Sequence, residues 1–380
     1  MDLSFWEKDS FFSEIDLLVV GSGIVGLNTA RAAKERMPHW RILVIDRGFL
    51  PYGASTRNAG FACFGSLSEL LDDLTRMPEQ DVLDLVRRRR DGLIRLRSLL
   101  GDENIGFESL GGYELFTENE EPIFQKCVEA LPYFNAAVEK MSGEKNIYKI
   151  ADEQLSDFGF KGVNHLILNS GEGQIHTGKM MDRLLNLVRS MGVMVLNGIG
   201  IKHLLEEANG VRLETSEGFS FSVARVVAAT NGFARELMPN LAVDPGRAQV
   251  VVTKPIENLK VKGTFHYDKG YYYFRNIGNR ILFGGGRNLD FEGEKTTEFA
   301  LTDLVQNRLE YLLKTTILPN THFEIEQRWS GIMGLGDTKT TITKRLSPRI
   351  FCAVRMGGMG VAIGSLVGDE AAELIVKSND

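Results

Sequence analysis

The stretch Asp16-Leu-Leu-Val-Val-Gly-Ser-Gly-Ile-Val-Gly26 decides the fold of this chain. Ile15 to Val20 is an apolar, β-branched run of the kind that forms a buried parallel strand. Gly21, Gly23 and Gly26 follow in the pattern Gly-x-Gly-x-x-Gly. The first glycine allows a tight turn, the second lets the backbone approach a pyrophosphate, and the third lets the next helix lie close to the strand. The positive end of that helix would face the phosphates.

The residues after this turn complete the unit. Met37-Pro38 predicts the end of the helix, and Ile42 to Ile45 is a second apolar strand. Asp46 closes that strand 20 residues after Gly26, where a carboxylate that binds a ribose is needed. Strand, glycines, helix, strand and acid in this order predict dinucleotide binding. The alternative is a glycine-rich turn in another kind of α/β protein.

Composition and charge set the broad class. A chain of 380 residues with 43% hydrophobic residues can hold two domains with ample cores. Its 40 glycines exceed ordinary usage, which suits several close approaches of backbone to a ligand. The net charge of −6 disfavours nucleic-acid binding, because phosphate attraction needs a basic surface.

The cysteines and the N-terminal segment bear on the compartment. Cys63, Cys127 and Cys352 are widely spaced and predict neither a disulfide framework nor a metal site. They indicate a reducing compartment, so we expect a cytoplasmic protein. The first ten residues lack the basic and apolar regions of a signal peptide. No apolar run reaches the roughly 18 residues of a membrane span.

Three further segments offer backbone to a ligand. Gly53 to Ser66 is dominated by small residues that can lie flat against a planar group, and Arg57 and Asn58 add donors. Val226 to Gly232 predicts a buried strand that ends in small residues. Ile350 to Val354 predicts another strand, followed by a glycine turn and an amphipathic helix. The chain thus has two glycine turns before helices, at its opposite ends.

An aromatic hairpin is predicted in the second half of the chain. Residues 271–286 are rich in strand formers and turn at Gly278. Alternation puts Tyr271, Tyr273 and Arg275 on one face. Phenol hydroxyls beside a guanidinium suit a pocket for a small polar organic molecule. The alternative is an aromatic sheet face that packs against helices.

The helical patterns are less informative about function. Glu79 to Leu100 follows the 3.6-residue period and predicts a long helix, and its basic run Arg87 to Arg90 is interpreted as a mostly solvated face. Residues 120–160 show little periodicity. Another helix begins near His176, with Thr177 as its predicted cap. His176 either holds a loop or borders the ligand.

Seven motifs in order span nearly the whole chain: Gly21-Ser-Gly-Ile-Val-Gly26, Gly53-Ala-Ser-Thr-Arg-Asn-Ala-Gly60, Gly173-Gln-Ile-His176, Ala229-Thr-Asn231, Arg280-Ile-Leu-Phe-Gly-Gly285, Trp329-Ser-Gly-Ile-Met-Gly334 and Gly358-Met-Gly-Val361. This set resembles the FAD-dependent oxidoreductases of the D-amino acid oxidase and glycine oxidase family. Within that family the pattern is most similar to the γ-glutamylputrescine oxidoreductase-like group.

The resemblance implies an α/β fold with two domains. The first is a Rossmann-like βαβ domain that binds FAD, built from residues 1–80, 150–245 and 330–380. The second is an α+β substrate domain on an antiparallel sheet, built from residues 81–149 and 246–329. FAD would be bound non-covalently, since no cysteine matches an attachment point.

The resemblance also implies roles for individual residues. The first glycine turn would hold the pyrophosphate, Asp46 the ribose, Ile201 the adenine, residues 54–62 the isoalloxazine ring, and the last glycine turn the flavin end where charge accumulates on reduction. The residues expected to bind FAD are Gly21, Ser22, Gly23, Ile24, Val25, Gly26, Asp46, Arg47, Ala54, Ser55, Thr56, Arg57, Asn58, Ala59, Gly60, Phe61, Ala62, Ile201, Thr230, Asn231, Gly232, Gly331, Gly357, Gly358, Met359, Gly360 and Val361. The residues expected at the substrate are Tyr271, Tyr273, Arg275 and Arg287.

Some positions depart from the family pattern. Met359 and Thr177 stand where the family commonly has a histidine and a proline. Met333 stands where glycine oxidase-like members have the arginine that grips the substrate carboxylate. Leu282 stands where some sarcosine oxidase-like members have an oxygen-activating lysine. The arginines that could replace the missing clamp are Arg275, Arg287 and Arg328.

The implied activity is oxidation of a small amine or amino acid. A hydride would pass to flavin N5, and water would hydrolyse the resulting imine. The electrons would go to oxygen or to another acceptor. Two alternatives are a flavoprotein of tRNA modification, which the negative charge disfavours, and a flavin-binding electron-transfer subunit without its own substrate.

Overall fold

A computed structural model describes residues 2–378, so the predicted domain ends at Met1, Asn379 and Asp380 lie outside it. The helices of this part of the chain are α1 Phe5–Glu7, α2 Ile24–Arg36, α3 Ala54–Arg57, α4 Leu67–Leu74, α5 Glu79–Leu100, α6 Asp102–Ile105, α7 Glu121–Ser142, α8 Leu155–Phe158, α9 Thr177–Ser190, α10 Ala234–Leu237, α11 Asp303–Leu312 and α12 Gly360–Lys377. The strands are β1 Leu17–Val20, β2 Ile42–Asp46, β3 Phe61–Ala62, β4 Gly112–Thr117, β5 Tyr148–Ile150, β6 Val163–Asn169, β7 Gly173–Gln174, β8 Met194–Asn197, β9 Ile201–Glu207, β10 Gly210–Thr215, β11 Ser220–Val223, β12 Val226–Ala228, β13 Asp244–Thr253, β14 Thr264–Tyr267, β15 Tyr272–Ile277, β16 Arg280–Gly285, β17 Ile325–Leu335, β18 Ile342–Arg345 and β19 Ile350–Val354.

The first sheet has six strands in the order β18-β19-β12-β1-β2-β8. β1 is buried along its whole length and pairs in parallel with both β2 and β12, as an apolar central strand requires. α2 and α12 pack against each other, and a Cβ atom at Gly368 would lie 2.5 Å from the Cβ of Asn28. The predicted strand–turn–helix–strand unit is therefore confirmed at the centre of the fold.

The second sheet has eight strands in the order β17-β13-β16-β15-β14-β4-β6-β5. Its pairs are antiparallel except β4 with β14, which are parallel because a long connection separates them in the chain. One face packs on α11 through an apolar cluster that includes Phe265, Phe274 and Leu309. The predicted hairpin of β15 and β16 is confirmed, with Gly278 at its turn in the left-handed region (φ 55°). The mixed α/β fold with its two large sheets is as predicted; β9, β10 and β11 form a further three-stranded sheet, and β3 pairs with β7.

The predicted domain boundaries remain a prediction, although two elements lie outside their predicted groups. β6 falls within the 150–245 segment but pairs with β4 in the eight-stranded sheet. Most of α5 falls within the 81–149 segment, yet its residues Leu93 and Leu96 join the apolar core of α2 and α12. Packing against the nearest apolar face, rather than chain order, determines where each element lies.

Three local features differ from the sequence expectations. The weakly periodic segment contains α7, a 22-residue helix with Pro132 inside it. The cap of α9 is His176 rather than Thr177, because His176 Nδ1 accepts a hydrogen bond from Lys179 N. Within the basic run interpreted as a mostly solvated face, Arg89 is buried, and its guanidinium donates to the carbonyl of Phe64 at 3.2 Å.

The helices of residues 2–378 do not include one with both the length and the apolar character needed to cross a membrane.

Candidate active site

A cavity of about 1030 Å³ is lined by residues from both large sheets. Parallel sheets bind ligands at the carboxyl ends of their strands, and the ends of β1 and β2 contribute Val20, Gly21 and Asp46 to this cavity. β14 and β15 of the other sheet contribute His266 and Tyr273. The cavity is therefore the place where the predicted nucleotide-binding turn and the predicted aromatic face meet.

The turn after β1 has no room for side chains. A Cβ atom at Gly26 would lie 1.9 Å from the carbonyl oxygen of Gly21, and one at Gly21 would lie 2.9 Å from that of Ala229. Gly21 also has a φ of 107°, which L-amino acids with side chains rarely adopt. The turn at Gly357–Gly360 lines the same cavity. We call this turn and the turn at Gly21–Gly26 together the glycine cradle.

Asp46 is fixed beside the glycine cradle. Its Oδ2 accepts hydrogen bonds from Ser22 N and Ser22 Oγ, both at 2.9 Å, and its Oδ1 accepts one from Gly48 N at 2.9 Å. Ser22 does not line the cavity, so it acts by orienting the carboxylate. Nearby Arg47 stacks on Phe233, with 4.0 Å from its guanidinium carbon to the ring centre.

Most of the residues predicted for the cofactor line this cavity. They are Gly21, Gly23, Ile24, Val25, Asp46, Arg47, Ala54, Ser55, Arg57, Asn58, Ala59, Gly60, Phe61, Ile201, Thr230, Asn231, Gly331, Gly357, Gly358, Met359, Gly360 and Val361. Those outside its lining are Ser22, Gly26, Thr56, Ala62 and Gly232. The last group supports the lining backbone. A Cβ at Gly232, for example, would lie 2.5 Å from the carbonyl oxygen of Met333.

The opposite part of the lining is aromatic. Phe61 makes edge-to-face contacts with His266 and Tyr273, at ring-centre distances of 5.2 and 5.7 Å. Gly284, opposite Tyr273 in the sheet, leaves room for its ring. Burial raises the pKa of Tyr273 to about 12, so its hydroxyl stays protonated and can donate. We call Phe61, His266, Tyr271 and Tyr273 the aromatic wall.

Arg287 is a cation at the edge of the aromatic wall. Its guanidinium carbon lies 4.8 Å from the ring centre of Phe291, which Tyr271 also contacts. The carboxylate of Glu294, whose charge acts on Arg287, pairs with Arg247 instead, at 2.8 Å. Burial lowers the pKa of Arg287, but an arginine stays charged at neutral pH. Arg287 is therefore available to an anionic group of a ligand.

Arg275 does not line the cavity, contrary to the expectation from alternation. Its side chain lies behind Gly60, and its guanidinium contacts the carbonyl oxygen of Gly60 at 3.5 Å. Burial lowers the pKa of Arg275 to about 10. The expectation was wrong because β3 covers this part of the sheet face, so a side chain that points the same way as Tyr273 meets backbone. Arg328 is also removed from the cavity and pairs with Glu310 at 2.6 Å.

The cavity also contains charged residues that the sequence did not single out. Lys339 Nζ lies 2.9 Å from Asp73 Oδ1 and 3.5 Å from Glu69 Oε1, which ties the segment after β17 to α4. Burial raises the pKa of Asp73 in spite of Lys339. These residues come from segments without any motif, so only the folded arrangement reveals them. His176 is exposed and outside the cavity lining, which favours its loop-holding role.

A strand–glycine–helix cradle with an oriented acid, facing an aromatic wall, defines a dinucleotide-binding site beside a pocket for a small organic molecule. Comparison with known proteins makes the class specific. The family model described as FAD dependent oxidoreductase (DAO) matches residues 16–374. This chain therefore belongs to the DAO family of FAD-dependent oxidoreductases, and FAD is the cofactor that the family implies.

Individual relatives agree with this assignment. A probable oxidoreductase OrdL of Haemophilus influenzae is 21% identical over 96% of this chain and 84% of its own length. The bifunctional protein ThiO/ThiG of Synechocystis is 24% identical over 63% of this chain, and the match spans only 33% of that protein. Two solved structures share the fold. L-proline dehydrogenase from P. horikoshii has a TM-score of 0.74 at 20% identity, with 96% and 94% of the two chains covered. Glycine oxidase from Bacillus cereus has 0.73 at 16% identity, with 96% of each chain covered.

The residues of the cavity fit FAD. The space that side chains would fill at Gly21 and Gly26 is occupied by backbone, so main chain and the N-terminus of α2 border the cavity where a pyrophosphate would bind. The second cradle turn precedes α12, an 18-residue helix whose N-terminal residues line the same cavity. The volume, at the upper end of ordinary ligand pockets, suits a dinucleotide together with a small substrate.

Proposed function

We propose that this chain is an FAD-dependent enzyme that oxidises a small amine or amino acid. One observation carries the proposal: the glycine cradle and the aromatic wall border the same cavity. Solved structures of this fold include a glycine oxidase, an L-proline dehydrogenase and an L-amino acid deaminase, all named for amino acids. The finer likeness to γ-glutamylputrescine oxidoreductase-like enzymes rests on the sequence motifs.

The cofactor would be held by the cradle without a covalent bond. Of the three buried cysteines, Cys127 and Cys352 are outside the cavity lining, and Cys63, which lines it, matches no attachment point of the family motifs. The cradle and Asp46 would bind the pyrophosphate and ribose, and the backbone of residues 54–62 would lie beside the flavin ring. FAD, when bound, would supply the hydride acceptor at N5, and water would hydrolyse the imine product.

The substrate would be oriented by groups of this chain. Arg287 would bind a carboxylate and replace the arginine that is absent at Met333, because it is the cavity-lining guanidinium beside Tyr271. Tyr273 would donate one neutral hydrogen bond, and the aromatic wall would exclude water from the reacting carbon. Leu282, which stands where some relatives have an oxygen-activating lysine, is buried against Ala59 and Val250. The turnover experiment therefore compares oxygen with another electron acceptor.

Turnover tests the proposal. The purified, FAD-loaded protein is given a panel of amines and amino acids with either oxygen or an artificial dye as acceptor. We expect at least one compound to give acceptor reduction and carbonyl product in equal amounts. FAD should be released into the supernatant on acid precipitation. Flavin that stays with the precipitated protein, or a nicotinamide cofactor in its place, would contradict the cofactor assignment.

A further inference from the structure

A cysteine, a glutamate and a histidine from three distant segments converge beside the aromatic wall. Cys63 follows β3, Glu172 precedes β7, and His266 lies on β14. A thiol sulfur, a carboxylate oxygen and a ring nitrogen of these residues all lie within 4.8 Å of one another. All three residues are buried, with 4%, 1% and 8% of their surface exposed. We call them the Cys–Glu–His trio.

Two observations indicate that the trio is prepared for a ligand. His266 Nε2 is buried and has no hydrogen-bond partner among the described residues, which is rare for a buried polar atom. Glu172 Oε1 accepts hydrogen bonds from Phe64 N at 2.8 Å and Gly65 N at 3.0 Å. Backbone donors of this kind orient carboxylates at metal sites, where they hold one oxygen and leave the other for the ion.

We propose that the Cys–Glu–His trio binds a thiophilic divalent cation such as Zn²⁺. Sulfur, nitrogen and oxygen donors of this set are typical zinc ligands, with bonds of about 2.0–2.3 Å. Small side-chain rotations bring atoms already within 4.8 Å to the separations that a tetrahedral ion requires. The ion would displace the Cys63 proton to solvent, and the thiolate and carboxylate would balance its two charges.

The position of the trio leaves one coordination site open. Cys63 and His266 line the large cavity, whereas Glu172 is outside its lining. An ion held by three protein ligands would therefore complete its shell with water from the cavity, as open zinc sites do. The cavity also provides the route by which the ion enters. A trio joined only by internal hydrogen bonds is the competing explanation, and it predicts no cation uptake.

Zinc uptake by the FAD-loaded protein tests this inference without any turnover, so it does not depend on the proposed function. Protein freed of metal by a chelator is titrated with ZnCl₂ against a chromophoric competitor. We expect one Zn²⁺ per chain for the unmodified protein. Cys63→Ser and His266→Gln should each weaken binding by at least about tenfold, since each removes a direct ligand.

Cys352→Ser is the matched control, because it removes a buried thiol on β19 that is remote from the trio. It should retain the zinc affinity of the unmodified protein. Co²⁺ in place of Zn²⁺ should give an absorption band to the red of the flavin that is lost in Cys63→Ser. Absence of stoichiometric zinc in the unmodified protein overturns the inference. Equal zinc binding by Cys63→Ser and Cys352→Ser also overturns it.

Discussion

The glycine cradle and the aromatic wall border one cavity, but backbone makes the first and side chains make the second. In the cradle, close approaches such as 1.9 Å from a Cβ at Gly26 to the oxygen of Gly21 leave no room for side chains. In the wall, Phe61, His266 and Tyr273 meet ring to ring. A cofactor shared by a whole family can be bound by main-chain groups, whereas substrate choice needs side chains that vary.

The largest expected effect comes from adding one methyl group to the cradle. Gly26→Ala would place a Cβ against backbone that cannot move without separating α2 from β1, so we expect loss of FAD and of soluble folded protein. Gly178→Ala is the control, because its Cβ would meet only the exposed ring of His176. FAD content after purification measures both. A Gly26→Ala protein that retains stoichiometric FAD would contradict the claim that the cradle has no room for side chains.

A buried acid in the eight-stranded sheet should make the free energy of unfolding depend on pH. Glu114 on β4 is buried, and this burial raises its pKa from 4.5 to about 7 in spite of hydrogen bonds from Ser68. Between these two values the folded protein keeps a proton that the unfolded chain has lost. The free energy of unfolding therefore falls as pH rises through this window, by about 3 kcal/mol from this group.

Glu114→Gln should remove that part of the pH dependence, because an amide does not titrate. Urea unfolding at pH 5 and pH 7 measures the difference for both proteins. We expect the variant to lose less stability between the two pH values than the unmodified protein. Equal pH dependence in the two would show that Glu114 is ionised in the folded state.

The next prediction concerns Asp46, the side chain beside the glycine cradle that is expected to bind the cofactor. Asp46→Ala removes a carboxylate whose hydrogen bonding to the neutral ribose hydroxyls is worth ~1.5–3 kcal/mol. FAD binding should weaken by about one to two powers of ten. Fluorescence titration of the apoprotein with FAD measures the dissociation constant. An unchanged constant would mean that Asp46 serves only to hold Ser22 and Gly48.

The smallest expected effects lie at the aromatic wall and its arginine. Arg287→Lys should raise the half-saturating substrate concentration about tenfold with FAD still bound, because lysine lacks the planar fork that grips a carboxylate. Tyr273→Phe should weaken substrate binding by only ~0.5–1.5 kcal/mol, which is what one neutral hydrogen bond contributes. Arg328→Lys is the control, since Arg328 pairs with Glu310 away from the cavity. Equal effects of Arg287→Lys and Arg328→Lys would place the anchor elsewhere.

The same contrast explains what the sequence could predict. Glycine spacing constrains the backbone locally, so the cradle, α2 and Asp46 were predictable from residues close together in the chain. The convergence of Cys63, Glu172 and His266 depends on how distant strands pair, which no local pattern records. Arg275 shows the limit between the two cases. The alternation along the strand placed Arg275 and Tyr273 on the same face, but backbone at Gly60, from another segment, covers the Arg275 side chain.

Anaerobic bleaching of the flavin tests the central claim most directly, because it isolates the transfer of electrons from substrate to cofactor. The oxidised holoprotein is mixed without oxygen with each member of the amine and amino-acid panel, and the flavin absorbance is followed. The account predicts full bleaching by at least one compound, with Arg287→Lys requiring more of it. A flavin that stays oxidised with every amine and amino acid, yet is reduced by a partner protein, would contradict the account.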